Sequence, residues 1–360
     1  MADIYVATTG NDSTGTGSSG NPYATPGKAA SVAAAGDTIY LKYGTYTLTT
    51  STPGAGGPVH LVGTLGSPIY LIGYDTTATK TNTDSNRPTI SAGSVGSINV
   101  IYGDSFGQDL VRNIIVDGNS QTAIMGFVGN NGLTCYNCRA INCTGAGRGF
   151  ISVYGVSACS AQNCNIGFAS CITVVGCLAK SCNGYGFYAN TVAHLCIADS
   201  CNVGIYVFAN NFAGNCTSYG STTDGFQFDY SRGACPVVNC LSYGNGGYGF
   251  NLITQSGEGI IVNCAGGSNT SGNITGSTDT SFQISFITLS ANPFYNATAG
   301  DFSLNCVAGG GLACRNVGFP GAFPGGLTTG YASIGAVQNL YPNSDLLAAA
   351  LWTYGNRTTT

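Results

Sequence analysis

Short apolar runs separated by asparagine, glycine and serine make up the middle of the chain. Runs such as 172–175 and 205–208 are rich in β-branched and aromatic side chains, which is typical of strands. The Asn and Gly between the runs predict tight turns, because both residues tolerate positive φ. No apolar pattern with the helical period of about 3.6 residues is found there. The pattern therefore predicts many short strands joined by turns.

Two markers recur in this region with one shared period. A leading cysteine returns every 18 to 24 residues, and a Gly-Phe step returns at intervals of 18 to 24 residues as well. A second cysteine follows five positions after four of the leading ones, at Cys143, Cys164, Cys182 and Cys201. A repeat of this length without a helical segment favours a parallel β-helix over a leucine-rich repeat.

Residues one period apart should stack at about 4.8 Å in the interior of such a solenoid. A side chain that fits the narrow interior in one coil fits it again in the next, and small cysteines suit such positions well. The expected ladder residues are Cys138, Cys159, Cys177, Cys196, Cys216, Cys240, Cys264, Phe150, Phe168, Phe187, Phe226 and Phe250. The predicted fold class is all-β, a parallel β-helix solenoid with a short N-terminal capping helix and a short C-terminal helix.

The two ends of the chain differ from the repeats. Residues 1–36 predict a strand, a polar loop and a helix that has Thr25 as its N-cap, Pro26 as its first residue and Gly36 as its end. This helix would cover the open end of the solenoid, which otherwise exposes unpaired backbone. The remaining predicted segments are 37–300 with roughly a dozen coils of β-helix, 301–340 with a closing coil and a Gly-rich stretch, and 341–360 with a helical tail over 345–354 that could anchor the chain.

Charge and apolar content exclude two classes of partner. Only 7% of the residues are charged, the net charge is −4, and the eleven basic residues are scattered. Nucleic-acid binding needs clustered Lys and Arg, so it is not expected. The chain has no apolar run of about 18 residues, so no membrane insertion is expected. The first five residues also lack the features of a signal peptide, which favours folding in a cytoplasm.

Sixteen cysteines could form disulfides, bind metal or remain free. Neighbouring coils bring Cα atoms within disulfide range, but a reducing cytoplasm favours free thiols. Cys135 and Cys138 have a zinc-like spacing, yet the only histidines are His60 and His194. We therefore expect no metal site and no cofactor, and interpret the cysteines as interior residues.

Several segments resemble the pectate-lyase-like superfamily of right-handed β-helix proteins. The resemblance covers about residues 4–338 and rests on 5–7, 10–12, 21–25, 36–40, 44–46, 301–304 and 334–336. It implies a right-handed parallel β-helix. It leaves the function open, because the superfamily includes polysaccharide lyases and hydrolases, phage tailspikes, phage decoration proteins and adhesins.

The C-terminal tail is similar to a short element of phage virion proteins. The similarity lies in residues 350–354 and 357–359, with the pattern Ala-x-Trp-x-Tyr-x-x-Arg-Thr. It implies an assembly role for Leu351, Trp352, Tyr354 and Arg357. Trp352 could anchor the tail on a partner or pack on the last coil of its own chain.

Catalytic candidates are few. Enzymes with this fold commonly place two or three carboxylates on one sheet face, and glycoside hydrolysis needs two carboxyls. Asp224 and Asp229, with Arg232 nearby, form the best local group, and Glu258 lies in a predicted loop. Alignment of the coils on the Gly-Phe step places Asp224 opposite Val203 and Tyr248. It places Asp229 opposite Phe208 and Ile253, so no neighbouring coil adds a third carboxylate. Asp224 also precedes a glycine in a predicted turn, which favours a structural role.

The preferred hypothesis is a structural virion protein of a bacteriophage: a capsid decoration protein, head fibre or short spike, assembled in the host cytoplasm. We expect a homotrimer that contacts other virion proteins and, through its polar surface, host surface polysaccharide. The alternative is a tailspike enzyme, either a polysaccharide lyase or a glycoside hydrolase. Ice or mineral binding ranks last, because the threonines lack the regularity of the coils.

Overall fold

The computed structural model describes residues 1–75, 86–104, 108–130, 132–208, 210–229, 235–253, 259–275, 283–318 and 332–338. In this part of the chain, three long sheets form the walls of a solenoid, and every strand pair within them is parallel. Each strand pairs with the strand one coil away in the same sheet. The sheets are called I, II and III, in the order in which each coil contributes a strand to them.

Sheet I has twelve strands. They are β1 (Asp3–Val6), β2 (Thr38–Lys42), β5 (Tyr70–Tyr74), β8 (Asp109–Arg112), β11 (Leu133–Tyr136), β14 (Gly155–Ser157), β17 (Thr173–Val175), β20 (Val192–His194), β23 (Phe212–Gly214), β26 (Cys235–Val238), β29 (Gly259–Val262) and β32 (Gln283–Ile284).

Sheet II has eleven strands. They are β3 (Thr45–Thr47), β6 (Thr89–Ser91), β9 (Ile115–Asp117), β12 (Arg139–Ile141), β15 (Ser160–Gln162), β18 (Leu178–Lys180), β21 (Ile197–Asp199), β24 (Thr217–Tyr219), β27 (Leu241–Tyr243), β30 (Ala265–Gly267) and β33 (Ile287–Thr288).

Sheet III has ten strands. They are β4 (Val59–Leu61), β7 (Asn99–Gly103), β10 (Met125–Val128), β13 (Arg148–Ile151), β16 (Ile166–Ala169), β19 (Tyr185–Tyr188), β22 (Val203–Phe208), β25 (Phe226–Asp229), β28 (Tyr248–Ile253) and β31 (Gly272–Thr275).

The interior holds the expected ladders. All twelve predicted ladder residues are buried, and Phe150, Phe168 and Phe187 stack with ring centroids 4.9 Å apart. The thiols also form hydrogen bonds: Cys159 Sγ donates to the carbonyl of Cys135, one coil away, at 3.6 Å. A cysteine therefore fills a small interior position, and its weak S–H donor forms a hydrogen bond with a backbone carbonyl.

The corner before each leading cysteine has left-handed backbone. Asn137, Asn215 and Asn239 occupy it with φ between 51° and 55°, as does Leu195 with φ 54°. Asparagine tolerates this conformation, whereas an ordinary side chain is strained by it. These corners fix the register, because each one redirects the chain from sheet I to sheet II at the same height in every coil.

The N-terminal helix is shorter than predicted. Helix α1 spans Pro26–Val32, with the Thr25 side chain accepting a hydrogen bond from the Lys28 amide. The expected extension to Gly36 is wrong, because Ala33 is extended and the Asp37 carboxylate accepts the Ala34 amide at 2.9 Å. The helix buries Ala29 and Ala30 in the main core, next to the first strands.

The segment predicted as a closing coil forms a different structure. Strands β34 (Phe294–Asn296) and β35 (Asp301–Leu304) pair antiparallel around a 3-10 turn at Ala297–Ala299, and the short helix α2 (Gly311–Cys314) follows. These elements and Ile334 pack on the outer face of sheet II, against Leu241 and Ala265. The physical reason is that the outward residues of these last coils are apolar, so the chain folds back to cover them.

Candidate functional site

The structure gives Asp224 a structural role. Its side chain is buried, Oδ1 accepts the Tyr248 amide at 2.8 Å, and Oδ2 accepts Asn251 Nδ2 at 2.7 Å. Both oxygens are thus engaged with the next coil. Asp229 lies in register with Phe208 and Ile253, as aligned from the sequence.

Other predicted site residues lie outside the described part of the chain. They are the side chain of Asp229, and Arg232, Glu258, Leu351, Trp352, Tyr354 and Arg357. The predicted helix at 345–354 also lies there. Their roles stay predictions.

Burial is the main feature of the cysteines. Fifteen of the sixteen are buried, Cys306 is exposed, and all are free thiols. Burial raises the pKa of the Cys171 thiol to about 12, and burial also raises the pKa of Cys177. The described His, Cys, Asp and Glu side chains form no group of three or more that could hold a metal ion.

One histidine has a polar environment that the sequence did not indicate. His60, on β4, stacks on Tyr102 with ring centroids 4.3 Å apart, and its Nε2 lies 2.9 Å from Asp104 Oδ1. Burial and the nearby Asp104 carboxylate raise the pKa of Tyr102. Asp109 is buried below them, where burial raises its pKa. His60 and Tyr102 lie on the outer face of sheet III near its N-terminal edge, whereas Asp109 lies on β8 of sheet I.

The strongest surface feature is a group of aromatic rings on the outer face of sheet III, here called the aromatic platform. It consists of Tyr185, Tyr188, Tyr206 and Phe208. Tyr188 and Tyr206 stack at 5.0 Å with an interplanar angle of 16°, and Tyr206 lies 6.5 Å from Phe208. Tyr185 contacts both other tyrosines, at 4.8 and 5.4 Å. Tyr188 and Tyr206 lie in register on neighbouring strands, which brings their rings together.

Comparison with known proteins supports the architecture. The chain matches no protein-family model and no curated protein. Among solved structures, the pectate lyase Pel9A is 18% identical over 94% of this chain and 96% of that chain, with a TM-score of 0.52. The chain has the pectate-lyase-like right-handed parallel β-helix fold. At this level of identity the likeness shows the fold alone.

Two further similar structures have TM-scores of 0.46. One is the A-module of the mannuronan C-5 epimerase of Azotobacter vinelandii, which is 15% identical over 71% of this chain and 80% of that chain. The other is a protein of Geobacillus virus E2, which is 14% identical over 79% of this chain and 59% of that chain.

In this β-helix, the aromatic platform adjoins amide side chains. Gln227 and Asn251 follow Tyr206 in the same outward row, one coil apart. Gln227 Oε1 has no hydrogen-bond partner in the described structure. Phe208 is 38% exposed, so the platform is open at that side.

No helix in the described ranges is long and apolar enough to cross a bilayer.

Proposed function

We propose that the chain is a structural protein of a bacteriophage particle that binds surface glycans without cleaving them. The observation that carries the proposal is the aromatic platform on sheet III. Aromatic rings with polar tips suit a sugar, which has apolar C–H faces and a rim of hydroxyls. The side-chain amides of Gln227 and Asn251 add polar groups at the end of the row.

Binding without cleavage is supported by the hydrogen bonds of Asp224, the best carboxylate candidate. Glycoside hydrolysis needs one carboxyl as general acid and a second as base or nucleophile. Asp224 holds two groups of the next coil through both of its oxygens. Its removal would disturb that coil, so we assign it to the fold.

The virion role is supported by the similarity of the tail to phage proteins and by the rod shape. Twelve stacked strands give a rod of about 50 Å, and such a solenoid provides a stable spacer. We include homotrimeric assembly, contact with other virion proteins and location in the virion in this proposal. Sedimentation of the purified chain tests the trimer, and antibody-labelled electron microscopy of particles tests the location.

Calorimetric titration with purified host capsular polysaccharide tests whether the chain binds a glycan. Tyr188→Ala and Tyr206→Ala should each weaken binding by about 2- to 12-fold, the range expected for one aromatic contact. Tyr295→Ala is the matched control, because Tyr295 is 76% exposed on the hairpin, away from the platform. Equal binding by all three variants would refute the platform as the binding site.

One observation favours the enzyme alternative, a polysaccharide lyase or glycoside hydrolase. His60 and Asp104 form a surface pair that could accept a proton, which β-elimination requires. The binding experiment should therefore include a measurement of unsaturated ends and new reducing ends. Product release that His60→Ala abolishes would establish the enzyme and overturn the non-catalytic proposal.

A further inference from the structure

Interior side chains become smaller at the level of the aromatic platform. In the middle row of sheet I, Ala193 and Ala213 pair with each other, while the coils on either side carry valine, at Val174 and Val237. All four side chains are buried. In the interior row of sheet III, Ile205 interrupts a run of phenylalanines on both sides. Because protein interiors are normally close-packed, this loss of volume leaves space between the two sheets.

A small cavity lies at this level, between sheets III and I. Its volume is about 10 Å³, close to the space that one water-sized group needs. The side chains of Ala193, Ile205 and Ala213 form its inner wall, and the half-buried rings of Tyr206 and Phe212 form its outer side. Tyr206 also belongs to the aromatic platform. A ligand that lies on the platform therefore lies beside the cavity.

The lining of the cavity suits a methyl group better than water. Six of its eight lining residues have hydrocarbon side chains, whereas a buried water needs about two to four polar partners. Asn190 brings an amide to the lining and is itself buried. Its Oδ1 accepts the Cys171 amide at 2.9 Å, and its Nδ2 donates to the carbonyl of Phe168 at 3.2 Å. An amide nitrogen carries two hydrogens, so the bonds of the described structure leave one N–H for a carbonyl oxygen of a ligand.

We propose that the cavity receives the acetyl group of an acetylated sugar that is bound on the aromatic platform. The methyl group fills the space beside Ala193 and Ala213, and the acetyl oxygen accepts the remaining N–H of Asn190, while the sugar ring stacks on Tyr206. The acetyl group belongs to an acetamido sugar or to an O-acetyl ester, since both carry the same carbonyl and methyl. This inference rests on the proposed glycan binding and names the class of glycan.

An oligosaccharide array, followed by calorimetry of the bound members, tests this selectivity with the full-length chain. The array pairs N-acetylglucosamine oligomers with glucose oligomers of the same linkage. It also pairs O-acetylated capsular oligosaccharides with the same samples after mild alkali, which removes the ester and leaves the acetamide. Acetylated members should bind about 10- to 50-fold more tightly than their partners, because they add one buried methyl group and one hydrogen bond. The pair that shows the preference identifies the source of the acetyl group.

Two variants fill the cavity with the residue that the same row holds in the adjacent coils. Ala193→Val and Ala213→Val should each abolish the preference for acetylated members, while the unacetylated partners bind through the platform as before. Val156→Ala is the matched control. It makes the opposite change of volume in the same row, separated from Ala193 by the coil of Val174, and should keep the preference. Thermal unfolding checks that each variant is folded.

A variant that enlarges the cavity covers the case in which the filled variants fail to fold. Val207 lines the cavity, so Val207→Ala should bind propionylated counterparts as tightly as acetylated members, whereas the wild type should bind them more weakly. The inference is overturned if the wild type binds both members of each pair equally, or if the filled variants keep the preference. Glycan binding itself would stand in both cases. The absence of binding to every member would contradict glycan binding and this inference together.

Discussion

The stack of phenylalanine rings in the core can be tested by removing its middle member. Phe168 is fully buried, and its ring lies between Phe150 and Phe187 at 4.9 Å on each side. Phe127 is equally buried but ends the stack, with Phe150 at 4.6 Å on one side and Ile101 in register on the other. Phe168→Ala and Phe127→Ala therefore remove the same side chain with different numbers of ring partners.

The expected magnitudes follow from these contacts. Phe→Ala at a buried position costs about 3–5 kcal/mol through lost burial and the cavity left behind. Each stacked ring pair contributes a further ~0.5–1.5 kcal/mol. Phe168→Ala breaks two pairs and Phe127→Ala breaks one. We expect Phe168→Ala to lower the free energy of unfolding more, by about 0.5–1.5 kcal/mol.

Guanidinium unfolding followed by far-UV circular dichroism measures the difference. The m-values of both variants should equal that of the wild type, so that the midpoints report stability. Phe168→Leu is the control that retains apolar volume and loses the ring. If Phe127→Ala is as destabilising as Phe168→Ala, or if Phe168→Leu has no effect, burial alone explains the row and the stacking argument is wrong.

Three further predictions concern the corners, the N-terminal contact and the thiols. Leu195→Asn should raise the free energy of unfolding by roughly 0.5–1 kcal/mol in chemical denaturation, because Leu195 has φ 54°; an unchanged or lower value would contradict the corner argument. Amides of Ala34 and Ala2 lower the pKa of Asp37 below its ordinary 3.8, so its stabilisation is present above that pH and is lost as the pH falls through the lowered pKa. Asp37→Asn should therefore lower the melting temperature at neutral pH and match the wild type in strong acid; equal loss at both would contradict the linkage. A thiol reagent should modify one cysteine, Cys306, in the native protein and sixteen after denaturation; fewer after denaturation would indicate disulfides.

The sequence predicted the core of the fold because the solenoid is periodic. A residue such as Cys177 meets the same neighbours one coil above and below, so spacing alone identifies contacts that are distant in the sequence. The alignment on the Gly-Phe step placed Asp224 opposite Val203 and Tyr248, and the structure has the same register. In such a fold, the spacing of repeated residues in the sequence also gives the register between neighbouring coils.

The C-terminal region was predicted less well because it leaves the period. Phe294 and Phe302 alternate with polar residues as any strand residues do, so their pattern does not distinguish another coil from a hairpin. Only the apolar outward side chains of Leu241 and Ala265 indicate that the chain must return over sheet II. Leu241 and Ala265 precede Phe294 by 53 and 29 residues, which is why local reasoning missed this contact.

The coil lengths contain a sequence signal for the side of the rod on which the aromatic platform lies. The interval between leading cysteines rises from 18–21 residues to 24 after Cys216. The strand bounds show that the connections from sheet III to sheet I lengthen: three residues separate β19 from β20, whereas five separate β25 from β26 and five separate β28 from β29. These longer connections follow Asp229 and Ile253, which lie in register with Phe208. Because insertions in repeat proteins concentrate on the binding face, lengthened coils and surface aromatics together favour this side of the rod as the place of recognition.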